Sequence, residues 1–178
     1  MNGAWWWNDP DMLVVRGPET SDRRTMAYQP KIPYSFGGWL AGDEYTENEA
    51  QFWATVCILS GGIISLSDRL AHLNAKGLRI LRTVLPLMSP NAARPIDYWD
   101  HSLPGAWTQT AADNSTRLAL LNWYDKPQHI SVDLAEAGFT DTAACSLRDI
   151  WSQKRVVPKK GKVSFLLSQR TAALLVTE

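Results

Sequence analysis

Cysteine is scarce in this chain: Cys57 and Cys145 are the only two in 178 residues. Two cysteines make neither a disulfide framework nor a CxxC redox or metal motif. Histidine is nearly as rare. His72, His101 and His129 are scattered, with none at H-E-x-x-H or similar spacing, which argues against a metal site. They read as ordinary surface or core residues. A charge surplus is also lacking, with 18 basic residues against 18 acidic ones. Without a basic excess or a long charged block, nucleic acid is not an expected partner. Apolar runs stop well short of the roughly 20 residues a membrane helix needs, so no membrane partner is expected either. The N-terminus has no basic start followed by an apolar stretch, which leaves a cytoplasmic location as the default expectation. The phosphate-cradling glycine motifs and the G-x-S-x-G nucleophile motif do not occur, and no cofactor is expected.

An apolar fraction of 45% marks a globular chain rather than a disordered one. A chain of this size buries about two thirds of its unfolded surface. Tryptophan is abundant, with nine residues. Each combines a large apolar face with one N–H, which suits either a core of large side chains or stacking against a ligand.

Residues 1–16 read as a short strand ending, a turn and a second apolar run, MLVV, with Pro10 breaking the extended path. Residues 17–42 are punctuated by Pro18, Pro30, Pro33 and the Gly37-Gly38 pair and read as a long loop. Thr46 and Glu49 then form a T-x-x-E capping box. The helix that follows, ENEAQFWATVCIL, sets Phe52, Val56 and Leu59 on one stripe with Trp53 and Cys57 beside it. Ser60-Gly61-Gly62 ends it, and the glycine pair allows a turn or a close backbone approach. IISLSD reads as a short buried strand. A second helix is expected over about 74–85, with Leu78, Leu81 and Leu85 at helical spacing and Pro86 as its stop. This order is the rhythm of an α/β layer. Residues 86–105 carry four prolines and read as a crossing. Beyond it, RLALLNW, HISVDL, ACSLRDIW, KVSFLL and AALLVT are short β-rich runs, with turns at 125–127 and 159–161. The last third is expected to be all-β, with about five or more strands. The strands of residues 1–90 are too few to close a sheet.

The chemistry concentrates in the opening stretch, WWWNDPDMLVVRG. In an extended chain residues i and i+2 point the same way. Asp9 and Asp11 would then stand about 6–7 Å apart on one face, close to the roughly 5–5.5 Å of a retaining glycosidase pair. They could equally perturb each other's pKa or share a metal. The competing reading is a turn in which the aspartates bond to backbone N–H groups. Asp68, after IISLS, falls either at the active-site end of a parallel strand or at a turn that it caps.

WWWNDPDMLVVRG, SGGIISLSD and the helix ending RTVLPL resemble the distal part of the melibiase-type α-galactosidases, glycoside hydrolase families 27 and 36, with the opening WW and Val15-Arg16 leaning toward family 36. The run Ala93 to Asp97, LALLNWYD and LRDIWS are similar to the crossing into that family's C-terminal domain and to the domain itself. The resemblance implies an α/β part followed by an all-β part. Residues 1–92 would be the last part of a (β/α)8 TIM barrel, and residues 93–178 a C-terminal antiparallel β-sandwich. It also implies a lineage of retaining hydrolases acting on terminal α-galactosides through one attacking and one protonating aspartate. Those two positions match nothing in this chain, so no catalytic residue is assigned and the chain is expected to be a fragment, inactive alone. Asp11, Met12 and Trp7 are the implied sugar-contacting residues, in a stretch where Trp5 to Trp7 line or support the pocket. Asn8, Asp9 and Asp68 are implied supports, with Asp9 fixing the turn. The implied partners are an α-galactoside or related oligosaccharide and the remaining, N-terminal part of the barrel. Hydrolysis and galactosyl transfer stay open, and Tyr34 and Trp39 of the 17–42 loop either touch an acceptor sugar or belong to an ordinary surface loop. A reading from another class also stands: a non-catalytic β-sandwich that packs on a partner or binds carbohydrate weakly.

Overall fold

The run RLALL has no apolar/polar alternation, and a strand of that kind needs apolar cover on both faces. The computed structural model, which describes residues 2, 7–22, 45–140, 142 and 145–177, supplies it. Elements in chain order are β1 (Met12–Leu13), α1 (Glu47–Ser60), β2 (Ser65–Leu66), α2 (Ala75–Val84), β3 (Arg94–Pro95), β4 (Ala106–Thr110), β5 (Thr116–Leu121), β6 (Gln128–Asp133), β7 (Leu147–Asp149), β8 (Arg155–Val156), β9 (Lys162–Leu167) and β10 (Ala172–Thr177). β5 lies between β4 and β10 inside an antiparallel six-stranded sheet of order β3-β4-β5-β10-β7-β8.

Successive side chains of a strand point to opposite faces. Ala119 and Leu121 of β5, with Leu174 of β10, therefore join the helices in one core that includes Ala54, Ile58, Ile80 and Val84. Leu118 and Leu120, with Ala173 and Leu175, face a second core with Val132, Leu134, Val163 and Leu167. That second layer is the two-stranded antiparallel ribbon β6-β9. The layers are thus helices, six-stranded sheet, ribbon. Each fully buried leucine on the sheet contributes about 1.5–3 kcal/mol relative to exposure.

Local signals at the helices are met closely. Thr46 and Glu49 form the reciprocal capping box, and Asn74 caps α2 by accepting from the N–H groups of Lys76 and Gly77. The buried side of α1 differs from the expected stripe. Ala50, Ala54, Cys57 and Ile58 are buried together with Leu59 of that stripe, while Phe52 and Val56 are half-buried against the same core. The helix is apolar almost all round, so spacing alone does not select its inner face; small residues lie where the backbone approaches the sheet. In α2 the buried positions are Gly77, Ile80, Leu81 and Val84, and Leu85 lies exposed beyond its end.

The expectation of a barrel remnant followed by a sandwich is overturned. Among the described residues there are two α-helices and open, uncurled sheets. Barrel closure requires every strand to be hydrogen-bonded on both sides. Among the described residues β1 pairs only with β2, in parallel, over Met12↔Ser65 and Leu13↔Leu66. Ser65 and Leu66 are exposed, so IISLSD is not the buried strand expected. The all-β part is one broad sheet with a two-stranded ribbon and helices on its faces. The fold is a small mixed α/β arrangement. β4, AWTQT, lay hidden in sequence because its inward positions include Thr108 and Gln109, both buried. No described helix is long and apolar enough to cross a membrane.

Candidate functional site

The site begins with the C-terminal end of α1. The last four carbonyls of a helix have no partner within it. Here each is met from a different direction. Cys57 O accepts from Ser60 Oγ at 2.8 Å, and Ile58 O from Gln109 Nε2 at 2.9 Å. Leu59 O accepts from the Ala93 N–H at 2.8 Å, and Ser60 O from Asn8 Nδ2 at 2.6 Å. Asn8 thereby fastens the NDPD stretch to the helix. Its N–H donates to Asn2 Oδ1 at 2.7 Å, and its carbonyl accepts from Ile63 N–H at 2.9 Å.

The glycine pair makes this approach possible. Gly61 is the C-cap residue in the left-handed conformation, φ 63°. A side chain at Gly62 would place its Cβ 1.6 Å from the Asn8 carbonyl oxygen. Gly61 supplies a backbone geometry that a Cβ opposes, and Gly62 the empty space.

Beyond Asn8 the chain turns instead of running extended. Asp9 Oδ1 accepts from the Asp11 N–H at 2.8 Å, and Asp11 has φ 68°. Aspartate is one of the few residues that tolerates this region, because its short side chain bonds locally. The i, i+2 geometry that would align two carboxylates does not hold across a left-handed residue. Asp9 is engaged with the backbone, and Asp11 is exposed at the start of β1. Trp7 is 54% exposed and Met12 half-buried. The Met12 carbonyl accepts from Trp53 Nε1 at 2.7 Å, which ties β1 to α1.

Asp68 lies at the other end of the ladder. Its side chain is 1% exposed. Oδ2 accepts from the Val15 N–H at 2.7 Å, and Oδ1 pairs with the Arg16 guanidinium at 3.2 Å. The register sets Asp11 level with Ile64 and Asp68 level with Val15. Trp7, Asn8, Asp9, Asp11 and Met12 thus lie in one continuous stretch that leads into β1, and Asp68 holds the exit of β1.

Burial raises the Tyr45 phenol above its ordinary value, against the opposing pull of Arg16. Burial pushes the Cys57 thiol up to about 12, so it is not a nucleophile near neutral pH. Among the described residues no group of three or more histidines, cysteines or carboxylates is arranged to hold a metal ion. Trp5, Trp6, Tyr34 and Trp39 lie outside the described residues. Sequence reasoning passed over a cleft between residues 97–103 and β6, whose lining includes Asp97, Asp100, Lys126, His129 and Glu136.

The architecture is shared with part of several solved structures. Across 97% of its length the chain is similar to the family 27 β-L-arabinopyranosidase of Geobacillus stearothermophilus, with TM-score 0.70 and 21% identity, covering 37% of that protein. It is similar over 97% to α-galactosidase I of Mortierella vinacea, with TM-score 0.62, 16% identity and 39% of that chain covered. It also matches the Saccharomyces cerevisiae α-galactosidase over 76%, with TM-score 0.55, 12% identity and 44% of that chain covered. The chain thus spans less than half the length of these solved structures. No curated protein matches the sequence. Residues 104–176 match the family described as the alpha galactosidase C-terminal beta sandwich domain, and the chain carries a melibiase-type domain of that kind. In this chain the layer facing the broad sheet is the two-stranded β6-β9 ribbon.

Proposed function

We propose that this chain is the distal part of a melibiase-type retaining glycosidase acting on terminal α-galactosides. Trp7, Asp11 and Met12 contribute to its sugar subsite. Asn8, Asp9 and Asp68 hold that stretch in place. The attacking and protonating carboxylates belong to polypeptide outside this chain. The observation that carries the reading is the build of the Trp7–Met12 stretch within a fold shared with glycosidases. Asn8 and Asp9 bond to backbone groups, and Asp11, like Trp7 a few residues before it, is exposed. An ionised carboxylate accepts hydrogen bonds strongly and suits sugar hydroxyls, while an indole face covers the apolar side of a pyranose ring. The α-galactosidases and the β-L-arabinopyranosidase of like fold act on pyranosides, which supports the assignment to this substrate class.

The test has two readouts on the purified chain. With p-nitrophenyl α-D-galactopyranoside, no turnover is expected. Turnover that disappears in Asp11→Asn would overturn the placement of the catalytic pair elsewhere. With D-galactose followed by NMR, shifts are expected at the Trp7 indole and the Asp11 amide, lost in Asp11→Ala. Unmoved resonances at both positions up to saturating sugar overturn the subsite.

A further inference from the structure

A strand at the edge of a sheet still has backbone groups to offer. Among the described residues the β6-β9 ribbon has two strands, so β6 has no neighbour on its other side. The ladder fixes which groups face that side. The Leu134 N–H donates to the Gly161 carbonyl at 2.9 Å, continuing the register in which Val132 opposes Val163. In an antiparallel pair, residues that bond to the partner alternate with residues whose N–H and C=O point away. Gln128, Ile130 and Val132 therefore bond to β9, while His129, Ser131 and Asp133 turn their backbone groups outward. The Asp133 carbonyl is met by the Ala137 N–H at 3.2 Å. Among the described residues no backbone partner meets those of His129 and Ser131. The strand holds no proline and its register is unbroken, so neither proline nor a bulge blunts this edge.

A cleft of about 610 Å³ runs along the same edge. The five consecutive residues 128–132 line it and none of β9 does, which puts it on the side of β6 away from its partner. At about 3.3 Å per residue that length is roughly 16 Å, the span of a five-residue strand. The lining is apolar where Ile130 and Ala106 contribute and acidic elsewhere. Three carboxylates, Asp97, Asp100 and Glu136, stand against one lysine, Lys126. Asp97 is occupied by the Gly105 N–H at 2.9 Å and the Ala106 N–H at 3.1 Å. Asp100 and Glu136 are exposed and form no ion pair among the described residues. A second copy of this chain would set carboxylates against carboxylates, whereas a basic segment complements them.

We infer that the cleft is a docking slot for an extended peptide segment in which apolar residues alternate with lysine or arginine. The segment adds a strand to the ribbon, and its backbone bonds the free N–H and C=O groups of His129 and Ser131. Alternate side chains of a strand point to opposite faces. One set meets Ile130 and Ala106, and the other, basic set stays at the exposed rim with Asp100 and Glu136. Main-chain bonds supply the affinity of such strand addition, and the alternate side chains its selectivity. This goes beyond the reading above, because the cleft shares no residue with the Trp7–Met12 stretch, and the two are followed at separate resonances.

The probe is a capped five-residue peptide of alternating lysine and valine, added to the full chain labelled with 15N and observed by NMR. Saturable shifts are expected at the His129 and Ser131 amides, with slower hydrogen exchange at both. Exchange at Ile130 and Val132, already bonded to β9, should not change. Of two peptides N-methylated at alternate residues, one is expected to bind about tenfold more weakly and the other as the parent peptide does, because only one set of amides faces β6. A peptide with glutamate in place of lysine should also lose about tenfold. Asp100→Asn combined with Glu136→Gln, both at exposed positions, should fold as the parent and weaken the lysine peptide about fivefold. The inference is overturned if neither amide responds, if both N-methylated peptides bind as well as the parent peptide, or if the glutamate peptide binds as tightly. It is also overturned by a concentration-dependent dimer that protects His129 and Ser131 without peptide, since the edge would then pair with a second copy.

Discussion

Gln109→Leu removes the polar bolt between the helices and the sheet. Gln109 is 1% exposed, in the middle of β4. Its Nε2 donates to Ile58 O at 2.9 Å and Asn91 O at 2.7 Å, and its Oε1 accepts from Arg117 Nη1 at 3.3 Å. Arg117, itself buried, also donates to the Leu87 carbonyl. Burial pulls its guanidinium below the ordinary value, with Asp113 pulling the other way. Leucine fills much the same volume, so the cavity cost is small. What remains is polar. Ile58 O, at the end of α1, becomes a buried acceptor without a donor, at about 2 kcal/mol. Arg117 loses one of its acceptors, at about 1 kcal/mol. Asn91 is exposed, and water can replace the bond to its carbonyl. The sum is about 3 kcal/mol, or a Tm lowered by roughly 6–12 °C for a chain of this size. Urea unfolding followed by tryptophan fluorescence measures it, with calorimetry as the thermal check. The m value should not change, because the folded shape does not. Arg117→Met and the double variant complete a cycle, in which a coupling of about 1 kcal/mol or more is expected for neighbours in one network. A loss below about 1 kcal/mol at unchanged m, with no coupling, would refute the claim that this glutamine joins the layers.

Gly62→Ala drives a methyl group into the Asn8 carbonyl, so the Ile63–Asn8 bond must break. A loss of about 1–3 kcal/mol is expected, with faster proteolysis within residues 7–16; an unaltered digestion pattern counts against this role for Gly62. Glu49→Gln tests the capping box through pH. Burial acts to raise the Glu49 pKa, but bonds from the Thr46 N–H and hydroxyl and the Arg170 guanidinium outweigh it, and the net shift is downward. A carboxylate lowered in the folded state adds stability above its unfolded pKa of about 4.3, which is lost as pH falls through the folded value. The variant should therefore be less stable than the parent at pH 7, with the gap closing by about pH 3; a gap that stays constant with pH assigns the loss to packing instead.

Much of the local structure was legible in the sequence because it depends on near neighbours. The Thr46–Glu49 capping box, the stop at Gly61-Gly62 and the unbroken apolar run of β5 are each specified within a few residues. The turn at Asp9–Asp11 was legible only as one of two alternatives. The positive φ of Asp11 decided it, and that value depends on Asn8 being tied to the end of a helix some fifty residues away. The inner face of α1 was not legible, since an all-round apolar helix has no unique stripe. Nor was β4, whose buried Gln109 reads as a surface residue until the carbonyl of Ile58 stands opposite it. The aromatic pair at 98–99 read as part of a linker, because exposure belongs to the assembled surface and not to residue type.

By itself the sequence determined the capped helices, the β-rich final third and a likeness to sugar-processing enzymes. Each of these follows from short-range pattern or from motif. Only the tertiary structure decided that the sheets stay open, that Asp11 and Asp68 stand at opposite ends of one ladder, and that Trp99 faces solvent. These depend on which backbone donors and acceptors, far apart in the chain, find one another once the layers pack.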